Sequence, residues 1–175
     1  MKRNGDWMQT FTKGQFWPMD PRVDEIHIED IAHALSNICR YGGHCRKFYS
    51  VAEHSCHVSD SLPPHYALDG LLDDAAEAYI GDMIRPIKYS IPVYQELDEV
   101  ISIQIRKRFG LTRCRRPEVM TVDNAILFDE SEQVMGGQVV DWKLPGKPLG
   151  IKIQFWTPER AEREFMDRFH KTLGL

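Results

Sequence analysis

The sequence predicts an all-α fold. Apolar residues recur at helical spacing in several separate segments, start and stop signals bracket those segments, and strand signals are confined to two short stretches. At 175 residues the chain fits one domain, since domains cluster at roughly 100 to 150 residues and two here would both be small.

The first strand signal is Phe11-Thr12-Lys13-Gly14-Gln15-Phe16-Trp17-Pro18, aromatics on both sides of a Lys-Gly turn, which reads as a short hairpin or ordered arm packed on the domain. Ile31, Leu35 and Ile38 then mark a first helix, with Asp30 as its N-cap and Gly42-Gly43 as its stop. Ser50-Val51-Ala52-Glu53 has the capping-box pattern and starts a helix running to Pro63. Pro64 opens the next, with Leu68, Leu71, Leu72, Ala75 and Tyr79 on its apolar face and Gly81 as its stop. A helix from Pro92 to Phe109 ends at Gly110, and another runs from Pro117 to Gly136-Gly137. Ile151 to Phe155 alternates like a short strand, and Thr157-Pro158 begins a last helix carrying Ala161, Phe165 and Phe169.

Composition narrows the function classes. The chain is 42% hydrophobic and 27% charged, and its apolar runs fall short of the ~18 residues of a membrane span, which argues against membrane residence. No apolar stretch follows the basic N-terminus to make a signal peptide, so a cytoplasmic location is expected. Cys39, Cys45, Cys56 and Cys114 form no C-x-x-C pair and read as reduced thiols; a structural zinc on Cys39, Cys45 and nearby histidines matches no standard spacing. A net charge of −4 argues against polymeric nucleic acid as a partner. The local cation clusters Arg40/Arg46/Lys47 and Arg85/Lys88 suit a small phosphorylated ligand, although a solvated face is the commoner use of such clusters.

His54, Asp73, Asp74 and Asp123 come from three predicted helices and all fall beside apolar positions. Buried carboxylates that converge are best explained by a bound cation. The competing reading makes Asp73 and Asp74 a solvated helix stripe and pairs Asp123 with an arginine. Glu77 follows Asp73 by four residues and Asp74 by three, so all three share one helix face.

Three stretches carry a family resemblance: Ser50-Val51-Ala52-Glu53-His54-Ser55, Leu72-Asp73-Asp74-Ala75-Ala76-Glu77-Ala78-Tyr79-Ile80-Gly81-Asp82, and Arg85-Pro86-Ile87-Lys88-Tyr89. Over residues 26–130 the chain resembles the HD-domain metal-dependent phosphohydrolases, nearest to the bacterial 5'-deoxynucleotidases and to small HD proteins of phages and prophages. The resemblance implies a single helical bundle with its core at residues 26–135, a C-terminal extension with one helix, and one divalent ion: manganese, cobalt, magnesium or zinc. It implies His54, Asp74 and Asp123 as ligands, with Asp73 where the family has its naming histidine, an exchange that would harden the ligand set toward manganese or magnesium. It gives Glu77 proton handling around the attacking water, Asp82 a position toward the sugar, and Arg40 and Lys88 phosphate contacts, with His44 a further candidate substrate contact; His33 and His57 are weaker candidates. The implied reaction releases phosphate from deoxynucleoside 5'-monophosphates. Removal of triphosphate from a deoxynucleoside triphosphate, and nucleotide or protein binding without turnover at a degenerate site, are the alternatives. Self-association follows only by analogy with related folds.

Overall fold

The computed structural model describes residues 3–112, 114–137 and 142–175. Among the described residues its regular elements are helices apart from one small hairpin, β1 (Met8–Gln9) paired antiparallel with β2 (Gln15–Phe16), and an isolated bridge between Cys39 and Ser50. The turn falls where the Lys-Gly signal sits, with Lys13 at φ 66° and the Thr10 N–H donating to the Gly14 carbonyl at 3.0 Å. Phe16 is fully buried and stacks on Tyr79, centroids 3.8 Å apart.

Helix α1 (Ile28–Asn37) starts earlier than the sequence suggests, with His27 at the N-cap position and no side chain capping it. Asp30 is therefore no N-cap. It lies buried in the first turn, where its carboxylate accepts from the Thr12 N–H (2.7 Å) and the Thr12 hydroxyl (3.1 Å), tying the hairpin tip to the helix. The helix also stops well before Gly42-Gly43, because residues 38–40 turn extended and run antiparallel to 49–51. Arg40 N–H donates to the Tyr49 carbonyl and Val51 N–H to the Ile38 carbonyl, both at 3.0 Å. That pairing delivers Arg40 to the start of α2 (Val51–Asp60).

Ser50 caps α2 as expected, its hydroxyl accepting from the Glu53 N–H at 3.1 Å. The other half of the capping box does not form. The Glu53 carboxylate turns away and accepts three successive backbone N–H groups, of Gln154 (2.7 Å), Phe155 (3.0 Å) and Trp156 (2.7 Å). Phe155 sits at φ 54°, a conformation that costs roughly 1–3 kcal/mol but lets neighbouring N–H groups converge on one anion. The alternating segment 151–155 is thus extended without being a strand. Its polar backbone is satisfied by side chains, including Gln133, which bonds both the Ile151 carbonyl and the Ile153 N–H.

The helix expected from Pro64 to Gly81 is broken into a short 3₁₀ turn at Pro64–Tyr66, α3 (Ala67–Leu71) and α4 (Glu77–Ile80). Between α3 and α4 the chain winds tighter, with the N–H groups of Ala75, Glu77, Ala78 and Tyr79 reaching back three residues rather than four. Gly70 lets α3 approach α2 closely: a methyl group there would stand 2.4 Å from the Leu62 side chain. The short helix α5 (Arg85–Lys88) precedes α6 (Pro92–Arg108), which ends at Gly110 (φ 70°) in a Schellman turn, Leu111 N–H donating to the Arg106 carbonyl at 2.8 Å. Helix α7 (Pro117–Gln133) follows, and α8 (Pro158–Thr172) is capped by Thr157.

The main core gathers Ile31 and Leu35 of α1, Val51, Ala52 and Cys56 of α2, Leu71, Ile101 and Ile105. Helix α8, expected as an extension beyond the core, supplies Ala161, Phe165 and Phe169 to that same cluster. Among the described residues no helix is long and apolar enough to cross a membrane. Cys56 is buried, Cys39 and Cys45 half-buried and Cys114 exposed, all as free thiols.

The anchorage of residues 154–156 on Glu53 generates a stability prediction. Glu53→Ala strands three N–H donors around a fully buried position, so unfolding free energy should fall by about 3 kcal/mol or more, at roughly 1–3 kcal/mol per lost charged hydrogen bond. Glu53→Gln, which keeps one acceptor oxygen, should lose less. Urea unfolding checks both; a wild-type midpoint for Glu53→Ala contradicts the assignment.

Candidate metal centre

The imidazole of His54 lies on α2 with its ring buried and both nitrogens engaged. Nε2 stands 3.2 Å from Asp123 Oδ1 on α7 and 3.4 Å from Asp74 Oδ2 in the tight turn between α3 and α4. One ligand atom from each of these three residues lies within 4.8 Å of the others. The spacing fits a shared ion: atoms about 2.1 Å from one metal are about 3.0 Å apart on adjacent octahedral positions and about 3.4 Å apart on tetrahedral ones. His54, Asp74 and Asp123 could therefore hold a metal ion. Among the described residues no other group of three or more such side chains comes as close together.

Behind the histidine stands Glu130, a fully buried carboxylate two helical turns beyond Asp123 on α7. Its Oε1 lies 2.6 Å from His54 Nδ1 and accepts from the Tyr49 hydroxyl at 2.9 Å. Its Oε2 accepts from Arg40 Nη2 at 3.2 Å and from the Tyr41 hydroxyl. A carboxylate on Nδ1 fixes the imidazole with Nε2 facing the acids, the usual outer support of a metal-binding histidine. Burial alone would raise Glu130, but Arg40 and His54 hold it down to about 2.

Asp123 uses its two oxygens differently. Oδ1 faces His54, while Oδ2 accepts from Arg115 Nη2 at 3.0 Å and lies 3.6 Å from Arg85 Nη2. Burial works to raise Asp123, but the His54 hydrogen bond and the charges of His54, Arg115 and Arg40 keep it below the usual carboxylate range. The arginine pairing foreseen as the alternative for Asp123 thus coexists with the cluster. Arg40 Nη1 reaches Asp74 Oδ2 at 3.5 Å, so this arginine braces Asp74 and Glu130 together from a buried position, its Nε without a partner among the described residues.

Asp73 departs from its expected role. It is absent from the ligand group; its carboxylate is gripped by Arg115, with Nε at 2.6 and 2.8 Å from its two oxygens and Nη2 also in contact. Asp73 and Asp74 are neighbours in a turn, and the chain sends one toward Arg115 and the other toward His54. Burial pushes Asp73 up to about 6 against the pull of Arg115.

Glu77, at the start of α4, is buried, and its Oε2 has no hydrogen-bond partner among the described residues. Burial, then Asp74 and Asp82, raise its carboxyl well above the usual range, with Arg40 and Lys88 opposing. Asp82 is raised by burial and Asp74 against the charges of Arg40 and His54, which places it in the same electrostatic group. Lys88 pairs with Asp98 at 2.9 Å. His44 is exposed in the loop after Tyr41 and makes no hydrogen bond or ion pair with the cluster among the described residues. His57 lies 3.4 Å from Glu53, and His33 pairs with Glu162 at 3.0 Å; neither belongs to the His54, Asp74 and Asp123 group. Glu130, Tyr41, Tyr49 and Arg115 are the site residues the sequence reading missed; the seven-residue spacing of Asp123 and Glu130, which puts both on one helix face, was the available signal for the first.

Whole-length relatives accompany this geometry. The chain is 34% identical to the uncharacterized protein YfdR of Escherichia coli (strain K12) over 167 residues, 94% of each chain. The chain belongs to the YfdR family. It is also 30% identical over 187 residues to the uncharacterized protein RCAP_rcc00048 of Rhodobacter capsulatus, covering 95% of each. No protein-family model matches it. In this YfdR-family chain the folded span runs from the hairpin to α8, and the relatives match over nearly all of it.

The charge state of His54 yields a pH prediction. Burial and Arg40 lower its pKa, but Glu130 and Asp123 more than reverse this and raise it to about 9. An ion needs the Nε2 lone pair, so below pH 9 binding must displace a proton. Calorimetry with Mn²⁺ in buffers of different ionisation enthalpy should show about one proton released per ion at pH 7.5. Apparent affinity should rise with pH up to about 9 and level off above it. Proton-neutral binding at pH 7.5 would contradict the ligand assignment of His54.

Proposed function

We propose that the chain is an HD-type, metal-dependent phosphohydrolase of the cytoplasm, acting on a small nucleotide and releasing phosphate from deoxynucleoside 5'-monophosphates. The convergence of His54 Nε2, Asp74 and Asp123, with the buried, unpartnered Glu77 oxygen in the same electrostatic group, is the observation that carries the reading. Three protein ligands, one nitrogen and two oxygens, leave positions open for water and substrate, as catalytic sites require and structural ones do not. That donor set accommodates manganese, cobalt, magnesium or zinc. The expectation of a harder site rested on Asp73 as a fourth ligand, and its pairing with Arg115 removes that argument.

A bound divalent ion polarises a phosphoryl oxygen and lowers the pKa of a bound water. The chain supplies the rest. Glu130 holds the imidazole of His54 in one orientation, and Arg40 holds Asp74, so the ligands are set before any ion or substrate arrives. Glu77, its carboxyl raised above the usual carboxylate range by burial, takes the proton of the attacking water in its ionised form and can return it to the leaving oxygen. Arg85 and Arg115, half-exposed beside Asp123, make the mouth of the site cationic, and Lys88 adds charge from α5. The inside is acidic and the rim basic, which suits a cation within and a phosphate at the entrance. Asp82 is assigned the side of the sugar.

The test is phosphate release from a panel of deoxynucleoside mono- and triphosphates with Mn²⁺, Co²⁺, Mg²⁺ and Zn²⁺ in turn. Orthophosphate from monophosphates is the expected product; release of intact triphosphate would move the substrate assignment to the triphosphates. Glu77→Gln should lower kcat by about 10²- to 10⁴-fold, the range for general acid-base groups, with metal content unchanged. Loss of the metal in that variant would make Glu77 a ligand or support and remove its assigned role.

A further inference from the structure

Asp73 and Arg115 form a pair whose two ends face different surroundings. The Asp73 side chain is 6% exposed and that of Arg115 41% exposed. The buried carboxylate therefore serves as a seat, and the guanidinium stands at the opening. Arg115 spends Nε and Nη2 on Asp73 and the same Nη2 on Asp123 Oδ2, while its Nη1 makes no hydrogen bond among the described residues. Asp123 Oδ1 is the oxygen that faces His54. Arg115 thus touches the outer oxygen of a candidate ligand while leaving the inner one free.

The loop carrying Arg115 is itself anchored. From the end of α6, the buried Arg106 donates to Asp69 on α3 (2.6 Å), to the Thr112 carbonyl (2.6 Å) and to the Cys114 carbonyl (3.3 Å). Asp69 is four residues before Asp73 on the same stretch of chain. Arg116, next to Arg115, also reaches Asp69 at 3.5 Å. The guanidinium is held in place before any ligand arrives, which lowers the cost of using it.

Chemistry decides what such a group receives. A planar guanidinium with N–H donors left over matches a tetrahedral oxyanion better than an ammonium does. Arg40 is the alternative phosphate arginine, but it is only 8% exposed and both its Nη groups are committed to Asp74 and Glu130. The Asp73–Arg115 pair is also neutral as a unit, so Asp73 does not add to the negative charge that a phosphate dianion would meet.

We propose that Asp73 is a positioning residue for Arg115 rather than a metal ligand, and that Arg115 is the residue that receives the substrate's phosphate beside the ion. The proposal rests on the phosphohydrolase reading for its substrate, but its test is binding and does not need turnover. Mn²⁺ is titrated into the protein, and inorganic phosphate into the Mn²⁺-loaded protein, by calorimetry. Asp73→Asn should keep Mn²⁺ affinity within about tenfold of wild type, whereas Asp123→Asn and His54→Ala should lose it by about 100-fold or more. Arg115→Ala should bind Mn²⁺ as tightly or more tightly, because a neighbouring positive charge is gone, and should bind phosphate about 10- to 100-fold more weakly, the range for a charged hydrogen bond. Arg115→Lys keeps the charge without the fork and should fall between, and it serves as the reading if the alanine variant does not fold. Loss of Mn²⁺ in Asp73→Asn comparable to that in Asp123→Asn overturns the proposal. So does wild-type phosphate affinity in Arg115→Lys together with Arg115→Ala, or in Arg115→Lys when only that variant folds. Should no nucleotide be hydrolysed, the assigned reaction fails, while these binding results still decide the role of Arg115.

Discussion

A carboxylate with no exposure to water must be compensated on every side, and Glu130 is the clearest instance in this molecule. Its two oxygens take an imidazole, two phenol hydroxyls and a guanidinium, drawn from α2, from the residue just before its cap and from the loop after α1. Three of those groups are placed by backbone structure: the 38–40 and 49–51 pairing brings Arg40 and Tyr49 together, and the Ser50 cap sets the start of the helix carrying His54. Removing a partner from such a site leaves a buried charge uncompensated, which is far more costly than the pair is worth when intact. The orientation of His54, the bracing of Asp74 and the packing of α7 on α2 all depend on that one side chain being satisfied.

Much of this was legible from residue order. The hairpin turn, the Ser50 and Thr157 caps, the glycine stop of α6 and the apolar face of α8 follow local rules, and the structure keeps them. Three of the proposed ligands, His54, Asp74 and Asp123, do converge. Local rules misjudged places where a distant segment competes for a polar group. Asp30 looks like a cap until Thr12 claims it, and Glu53 looks like half of a capping box until residues 154–156 arrive with three N–H groups. The break between α3 and α4 is of the same kind: an apolar periodicity of 3.6 cannot reveal that a few residues wind at three per turn when their side chains must serve two different partners.

Asp73 is the instructive miss. Adjacent aspartates on a nominal helix invite a common function, yet they belong to different charge networks here, one closed by Arg115 and the other opened toward His54. Nothing in the spacing of Arg115 announces this, because its position depends on Arg106 and Asp69, a buried ion pair linking residues 37 apart. Charge partners across loops are set by tertiary geometry, and a single sequence carries no periodic signal for them. Glu130 is different: its seven-residue offset from Asp123 was visible, and an acidic residue on the buried face of a helix needs a partner.

The grip of Glu53 on residues 154–156 also bears on the order in which the chain can be assembled. Helix α2 carries His54 one position after Glu53, and the N–H groups that satisfy that carboxylate lie about a hundred residues downstream. During synthesis, the histidine helix leaves the ribosome long before those groups exist, so until residues 154–156 emerge it carries a charge that must stay in water. The inward face of α2 can therefore be sealed only when α8, whose aromatic residues complete the same core, follows through the exit tunnel. The end of the domain where His54, Asp74 and Asp123 could hold an ion then closes only after residues 154–156 have been made, although all three of those side chains precede them in the chain.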